Sequence, residues 1–341
     1  MKFQTFLSKE NKPRLGILVK NSLYDIHNTS RLCGIFIPDN IQEFLQESDT
    51  NLEKAKRLLE FIDNNHSSLT PVQPLQILSP IPNPPSVRDG YAFRQHVAAA
   101  RRNRGLDMLP EFDEYPIFYF TNHHSIIGEG DVLVELDHLA QCDFELEWAA
   151  VIGKQGKNID SKDADSYIFG FTIMNDFSAR TLQMEEMKLN LGPAKGKDFA
   201  TSLGPFIITP DELIDYKITT EFGNNYNLPM TAKHNGVLIS DGNTKDMNWT
   251  FAEIIERASY GVTLYPGDVI GSGTVGTGCY LELNGTRARE AKEQGEIYSP
   301  VWLQNGDEIE LEIEMLGKLT NKIKLSENNI SILSKKKHLE M

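Results

Sequence analysis

Positive charge is in short supply, with 34 Lys and Arg set against 48 Asp and Glu for a net charge of -14. Such a balance repels phosphate backbones and anionic bilayers, so neither nucleic acid nor a membrane surface is expected as a partner. An anionic substrate must then find local positive charge, from a metal ion or from a few placed Lys and Arg residues. Cysteine is scarcer still. Cys33, Cys142 and Cys279 lie far apart with no C-x-x-C spacing, so neither a disulfide framework nor a thiolate zinc site is indicated, and a reducing cytoplasm is the expected setting. Long apolar runs are missing as well. Nowhere do about eighteen apolar residues stand together, and the first ten residues lose their apolar character before a signal-peptide core can form. A soluble, unexported protein is expected.

Residues 1–45 alternate short apolar runs with turn residues, as in Pro13–Lys20 and Ser22–Ile26, the pattern of small antiparallel strands. In Asn51–Asn65, Leu52, Ala55, Leu58, Leu59 and Ile62 recur at three- and four-residue spacing, which predicts an amphipathic helix. Pro71, Pro74, Pro80, Pro82, Pro84 and Pro85 then exclude a helix interior or a central strand. The domain boundary is placed there, giving a small N-terminal domain of strands and one helix over 1–80 and a larger domain over 81–341. Tyr91–Arg104 reads as a helix, with Asp89 placed to cap its first turn. Strand-like runs follow at Ile117–Phe120, Asp131–Leu136, Phe144–Ile152 and Ile168–Met174, with a short helix at Ser161–Tyr167 and a longer one at Met247–Tyr260. Strands outnumber helices without regular interleaving. The expected fold is therefore α+β and mostly β, with mixed, largely antiparallel sheets.

One stretch stands out, Asp143-Phe-Glu-Leu-Glu-Trp-Ala-Ala-Val-Ile-Gly153. Residues two apart on a strand share a face, so Glu145 and Glu147 would stand side by side. Adjacent carboxylates at the edge of a core repel and lose hydration unless something neutralises them. A hard divalent cation does so: magnesium, manganese and calcium all favour oxygen ligands. The other reading is an edge strand with both glutamates on its wet face. Asp176 lies where an apolar run meets a turn, a position suited to a site but also common for residues that merely begin turns. Asp89 and His96 are seven apart in a presumed helix, which puts them on one face.

Two glycine-bearing motifs are set aside. Pro193-Ala-Lys-Gly-Lys-Asp-Phe-Ala-Thr-Ser-Leu-Gly-Pro205 could hold an anion, but Gly192 and Gly196 are too close for a P-loop, and Asp198 stands where Ser or Thr would meet magnesium. Gly271-Ser-Gly-Thr-Val-Gly276 matches G-x-G-x-x-G. The run after it, Cys279–Leu283, reads as a strand where a dinucleotide site needs a helix N-terminus.

Taken in order, R-D-G-Y-A-F-R-Q-H, P-I-F-Y-F, F-E-L-E, M-N-D-F-S-A-R, G-K-D-F-A-T-S-L-G-P and G-S-G-T…L-E-L, between Arg88 and Leu283, resemble the fumarylacetoacetate hydrolase family. The resemblance implies that Asp89, Glu145, Glu147 and Asp176 bind a divalent metal, Mg2+ first and Mn2+ or Ca2+ as alternatives. It implies that His96 is a general base paired with Glu282, and that Lys197 and Thr201 lie near the metal. Tyr91, Tyr119, Arg180, Gln183 and Thr274 would correspond to substrate-contacting positions. The implied fold is a mixed β-sandwich roll with a small N-terminal β domain, as a homodimer. The implied activity is hydrolysis of a carbon–carbon bond in a β-diketone acid such as fumarylacetoacetate, fumarylpyruvate or another acylpyruvate, in aromatic-compound or tyrosine catabolism. Decarboxylation, hydration or isomerisation of a 2-oxo acid on the same site is the alternative, and a non-catalytic metal-binding protein a further one.

Overall fold

A computed structural model describes residues 1–328 and 330–335; residue 329 and residues 336–341, the end of the larger expected domain, lie outside. A mixed sheet runs through the molecule. Its main strands are β1 (Lys2–Leu7), β2 (Pro13–Val19), β3 (Ser22–Asp25), β4 (Val87–Gly90), β5 (Phe118–Thr121), β6 (Leu146–Ile152), β7 (Ile168–Asp176), β8 (Thr201–Ile208) and β9 (Val269–Gly271). They lie in the order β3-β2-β1-β8-β7-β6-β9-β4-β5, with two short strands paired outside that path. A second, five-stranded sheet, from residues 237–243, 229–234, 308–313, 317–325 and 130–134, packs against it.

β6 is a central strand, paired antiparallel to β7 on one side and β9 on the other, so the wet-edge reading of its glutamates fails. Alternation sorts its side chains. Trp148, Ala150 and Ile152 enter the apolar cluster shared with the second sheet. Ala149 and Val151 enter a cluster with Phe3, Phe44, Ile62 and Phe169, on the face that also carries Glu147. Residues 1–80 are tied to the rest by backbone pairing of Lys2 with Ile208 and Phe3 with Ile207, and by that second cluster.

The helices of eight or more residues are α1 (Ser48–Asn65), α2 (Arg94–Arg102), α3 (Arg180–Met187), α4 (Phe251–Ser259) and α5 (Tyr280–Glu293); shorter helices at Ile26–Leu32 and Ile41–Gln46 give residues 1–80 three helices where one was expected. α1 covers the expected helix and extends it by a turn, burying Ala55, Leu58 and Ile62. α4 starts at a capping box, in which Thr250 accepts from the Glu253 amide and Glu253 reaches back to that of Thr250.

Two further expectations are corrected. Asp89 caps no helix: it sits inside β4, and α2 begins only at Arg94 with Phe93 as its cap. Asp89 and His96 therefore share no helical face. Cys279–Leu283 is not a strand, because α5 begins at Tyr280. The alternation of Tyr-Leu-Glu-Leu is overridden by the buried carboxylate of Asp143, which accepts from the Tyr280 amide at 2.7 Å and the Leu281 amide at 2.9 Å. A negative charge bonded to free amides at a helix start favours the helix. The same contact disposes of the dinucleotide reading, since the amides that would meet a pyrophosphate already serve Asp143.

Candidate active site and metal centre

The carboxylates converge where several sheet strands end side by side. β7 ends at Asp176, which pairs in register with Thr201 at the start of β8. In β4, Asp89 lies in register with Gly271 and with Tyr119 of β5. Glu147 is the second residue of β6, while Glu145 stands just before the strand, its amide donating to Asn175 Oδ1 at 3.0 Å. One oxygen each of Asp89, Glu145, Glu147 and Asp176 fall within 4.8 Å of one another, and all four residues are buried.

The glycine motif explains itself here. Gly271 leaves room for Asp89, because a Cβ would stand 2.5 Å from Asp89 Oδ1. Gly273 has φ +78°, in the left-handed region that favours glycine, and its amide donates to Glu147 at 3.0 Å and Asp89 at 3.2 Å. Thr274 Oγ1 adds a bond to Glu147 at 3.3 Å.

Two cations meet this group. Lys197 Nζ bonds to Asp176 at 2.6 Å and to Glu145, and Tyr119 donates to the same Asp176 oxygen at 2.5 Å. Arg180, at the start of α3, bonds Asp143 and Glu145 at 2.8 Å and Gln183 at 2.9 Å. Its buried guanidinium braces Asp143, Glu145 and α3 inside the protein. Gln183, half-buried, accepts from Arg180; Thr201, fully buried, donates its amide to Ser125.

The charges do not balance within the cluster. Burial, then the Asp176 charge, pushes Asp89 up to about 8. Burial together with Asp89 and Glu145 drives Glu147 well above the ordinary carboxylate range. Burial raises Asp176 too, despite Lys197 beside it. Glu145 behaves oppositely: burial opposes its charge, yet Lys197 and Arg180 outweigh that and hold it well below the ordinary range. Asp176 Oδ1 is buried with no hydrogen-bond partner among the described residues. An all-oxygen set short of positive charge, with a buried acceptor left over, fits a hard divalent cation.

Beside the cluster, His96 Nδ1 lies 2.6 Å from Glu282 Oε2, and both residues are buried. The Thr277 amide holds the other Glu282 oxygen at 3.0 Å. Glu282 lies in the first turn of α5, so the helix start set by Asp143 also aims it at His96. A ring nitrogen of His96, an oxygen of Glu145 and the Cys279 sulfur lie within 4.8 Å of one another. Tyr91 packs edge-on to the imidazole, ring centroids 6.0 Å apart. The expected ligands and the dyad thus meet at one place. Asp143 and Cys279 carried no role in the sequence reading. For Asp143 the signal was available, as it extends the spacing of Glu145 and Glu147 by one more step of two; for Cys279 there was none.

The fumarylacetoacetate hydrolase C-terminal family model matches residues 86–324, and the chain belongs to that family. It is 30% identical over 318 residues to the fumarylacetoacetate hydrolase domain-containing protein 2 homolog of Dictyostelium discoideum, covering 92% of this chain and 94% of that one. It is 31% identical over 291 residues to the mitochondrial oxaloacetate tautomerase Fahd2a of Rattus norvegicus, covering 84% and 80%. The fold matches that of maleylpyruvate hydrolase from Sphingobium sp. SYK-6, solved with manganese(II) and pyruvate, with a TM-score of 0.64 at 21% identity over 96% of this chain and 100% of that one. Among the described residues no helix is long and apolar enough to cross a membrane.

Proposed function

We propose that this chain is a metal-dependent enzyme that moves a proton between carbon and oxygen of a 2-oxo acid, a keto–enol tautomerase for oxaloacetate or a close chemical relative. The observation that carries the reading is the buried His96–Glu282 pair set against a four-carboxylate metal centre. The rat relative's name, shared over most of both chains, favours tautomerisation over carbon–carbon hydrolysis. Mg2+ is the proposed ion, with Mn2+ and Ca2+ as alternatives, held by Asp89, Glu145, Glu147 and Asp176.

When bound, a divalent ion supplies Lewis acidity to the substrate carbonyl and makes the adjacent C–H easier to deprotonate. Glu282 accepts from His96 Nδ1–H, which leaves Nε2 with a lone pair and stabilises the imidazolium formed when Nε2 takes that proton. Lys197, bonded to Asp176 and Glu145, keeps fixed positive charge at the centre, and burial of the cluster strengthens its field by excluding water. Tyr91 packs edge-on against the imidazole and helps fix its orientation. A reducing compartment, the cytoplasm or the organelle in the rat relative's name, suits the three unpaired thiols.

Hydrolysis of an acylpyruvate is the second reading, favoured by the same dyad, which could equally deprotonate a water. The two separate by product. Metal-loaded protein is given enol-enriched oxaloacetate, then acetylpyruvate and fumarylpyruvate, with carbon dioxide followed in parallel. Faster loss of enol absorbance without cleavage supports the tautomerase; two carboxylic fragments from a diketone support the hydrolase, and carbon dioxide a decarboxylase. On either of the first two readings His96→Ala loses about 10²–10⁴ in rate while Mn2+ binding stays nearly intact. Retained turnover in that variant would remove His96 as the base.

A further inference from the structure

The three cysteines offer no metal-binding spacing in sequence, yet the fold buries Cys279 beside the dyad. Its sulfur, a ring nitrogen of His96 and a Glu145 oxygen lie within 4.8 Å of one another. The three come from the cap of α5, from α2 and from the segment before β6. His96 is only 7% exposed, Nδ1 is engaged by Glu282, and the described residues offer Nε2 no hydrogen-bond partner. A carboxylate on one imidazole nitrogen orients the other toward a metal, the arrangement that tunes histidine ligands in zinc proteins. A tetrahedral zinc with bonds of about 2.0–2.3 Å keeps its donors about 3.3–3.8 Å apart, so sub-rotamer movements would close the set. The donor types also differ from those next door, where four carboxylates suit hard cations and nothing soft is offered.

We propose that His96, Cys279 and Glu145, the last shared with the carboxylate centre, form a second metal site, selective for thiophilic cations such as Zn2+, through which these ions inhibit the enzyme. Binding forms a zinc–sulfur bond and breaks the S–H bond, the thiol proton passing to water; the fourth coordination position stays open. Occupancy ties up Nε2, so proton transfer stops while the carboxylate centre keeps its own ion. The inhibitory consequence rests on the proposed role of His96, whereas the binding does not.

Co2+ reports on both points, because a thiolate ligand gives it a near-ultraviolet charge-transfer band that carboxylate ligands do not. Co2+ is titrated into Mg2+-saturated protein and into Cys279→Ser and Cys279→Ala, with circular dichroism to establish that both variants are folded. The expected result is one saturable thiolate band in the parent chain, absent from both variants. Zn2+ should abolish turnover in the parent chain without relief by excess Mg2+, and folded variants should be at least roughly tenfold less sensitive. No band, or a band that persists without Cys279, would overturn the site whether or not the tautomerase reading holds. Zn2+ inhibition that excess Mg2+ reverses, equal in parent and variants, would instead assign the effect to the carboxylate centre and overturn the proposal.

Discussion

Two halves of one buried acidic cluster differ in how their charge is met. On one side Asp143 and Glu145 are held by Arg180, Lys197 and the amides at the start of α5. On the other side Asp89 and Glu147 share one glycine amide and a threonine hydroxyl. Burial is the same, yet Glu145 is held ionised while Asp89 and Glu147 resist ionisation. In the first half protein cations already neutralise the carboxylates, so Glu145 is ionised at the metal centre before any ion arrives. The second is shaped for charge brought from outside, which is what a metal centre requires.

That contrast can be broken from either side. Arg180→Met strands Asp143 and Glu145 in the core, and removal of one partner from a buried ion network costs about 3–5 kcal/mol. The expected outcome is a correspondingly lower denaturant midpoint with a near-native slope; a change below about 1 kcal/mol would show that the brace carries no stability. Gly271→Ala tests the crowding around Asp89, since its Cβ would stand 2.5 Å from Asp89 Oδ1 and 2.8 Å from Met174 Sδ. A loss of about 1–3 kcal/mol is expected, with weaker Mn2+ binding as Asp89 is displaced. Glu147→Gln has the smallest effect and the opposite sign. A neutral amide replaces a carboxylate that must take up a proton to be buried, which should stabilise the metal-free chain by on the order of 1 kcal/mol, read as a higher melting temperature under chelator. A large destabilisation there would mean that Glu147 belongs to the scaffold after all.

What the sequence carried and what it hid divide along physical lines. The two-residue spacing of Glu145 and Glu147, and Asp176 at the end of an apolar run, are local patterns and survive in the fold. The helix read over 51–65 from its periodicity is also there, starting three residues earlier. Asp89 was matched to the right cluster by motif but to the wrong element, because a strand of four residues followed by a three-residue link to α2 mimics one longer helix. α5 was missed because a carboxylate 137 residues earlier in the chain decides its start. The commitment of Arg180 to Asp143, and the approach of Cys279 to His96, likewise depend on contacts between segments far apart in sequence.

The most direct test of the unequal halves is calorimetric titration of Mn2+ into chelator-treated protein and into Glu147→Gln. The expected result is one ion per parent chain, a higher melting temperature on binding, and affinity at least roughly tenfold weaker in the variant. Equal affinity in both, or no binding to the parent chain, would contradict a metal centre built on the uncompensated carboxylates.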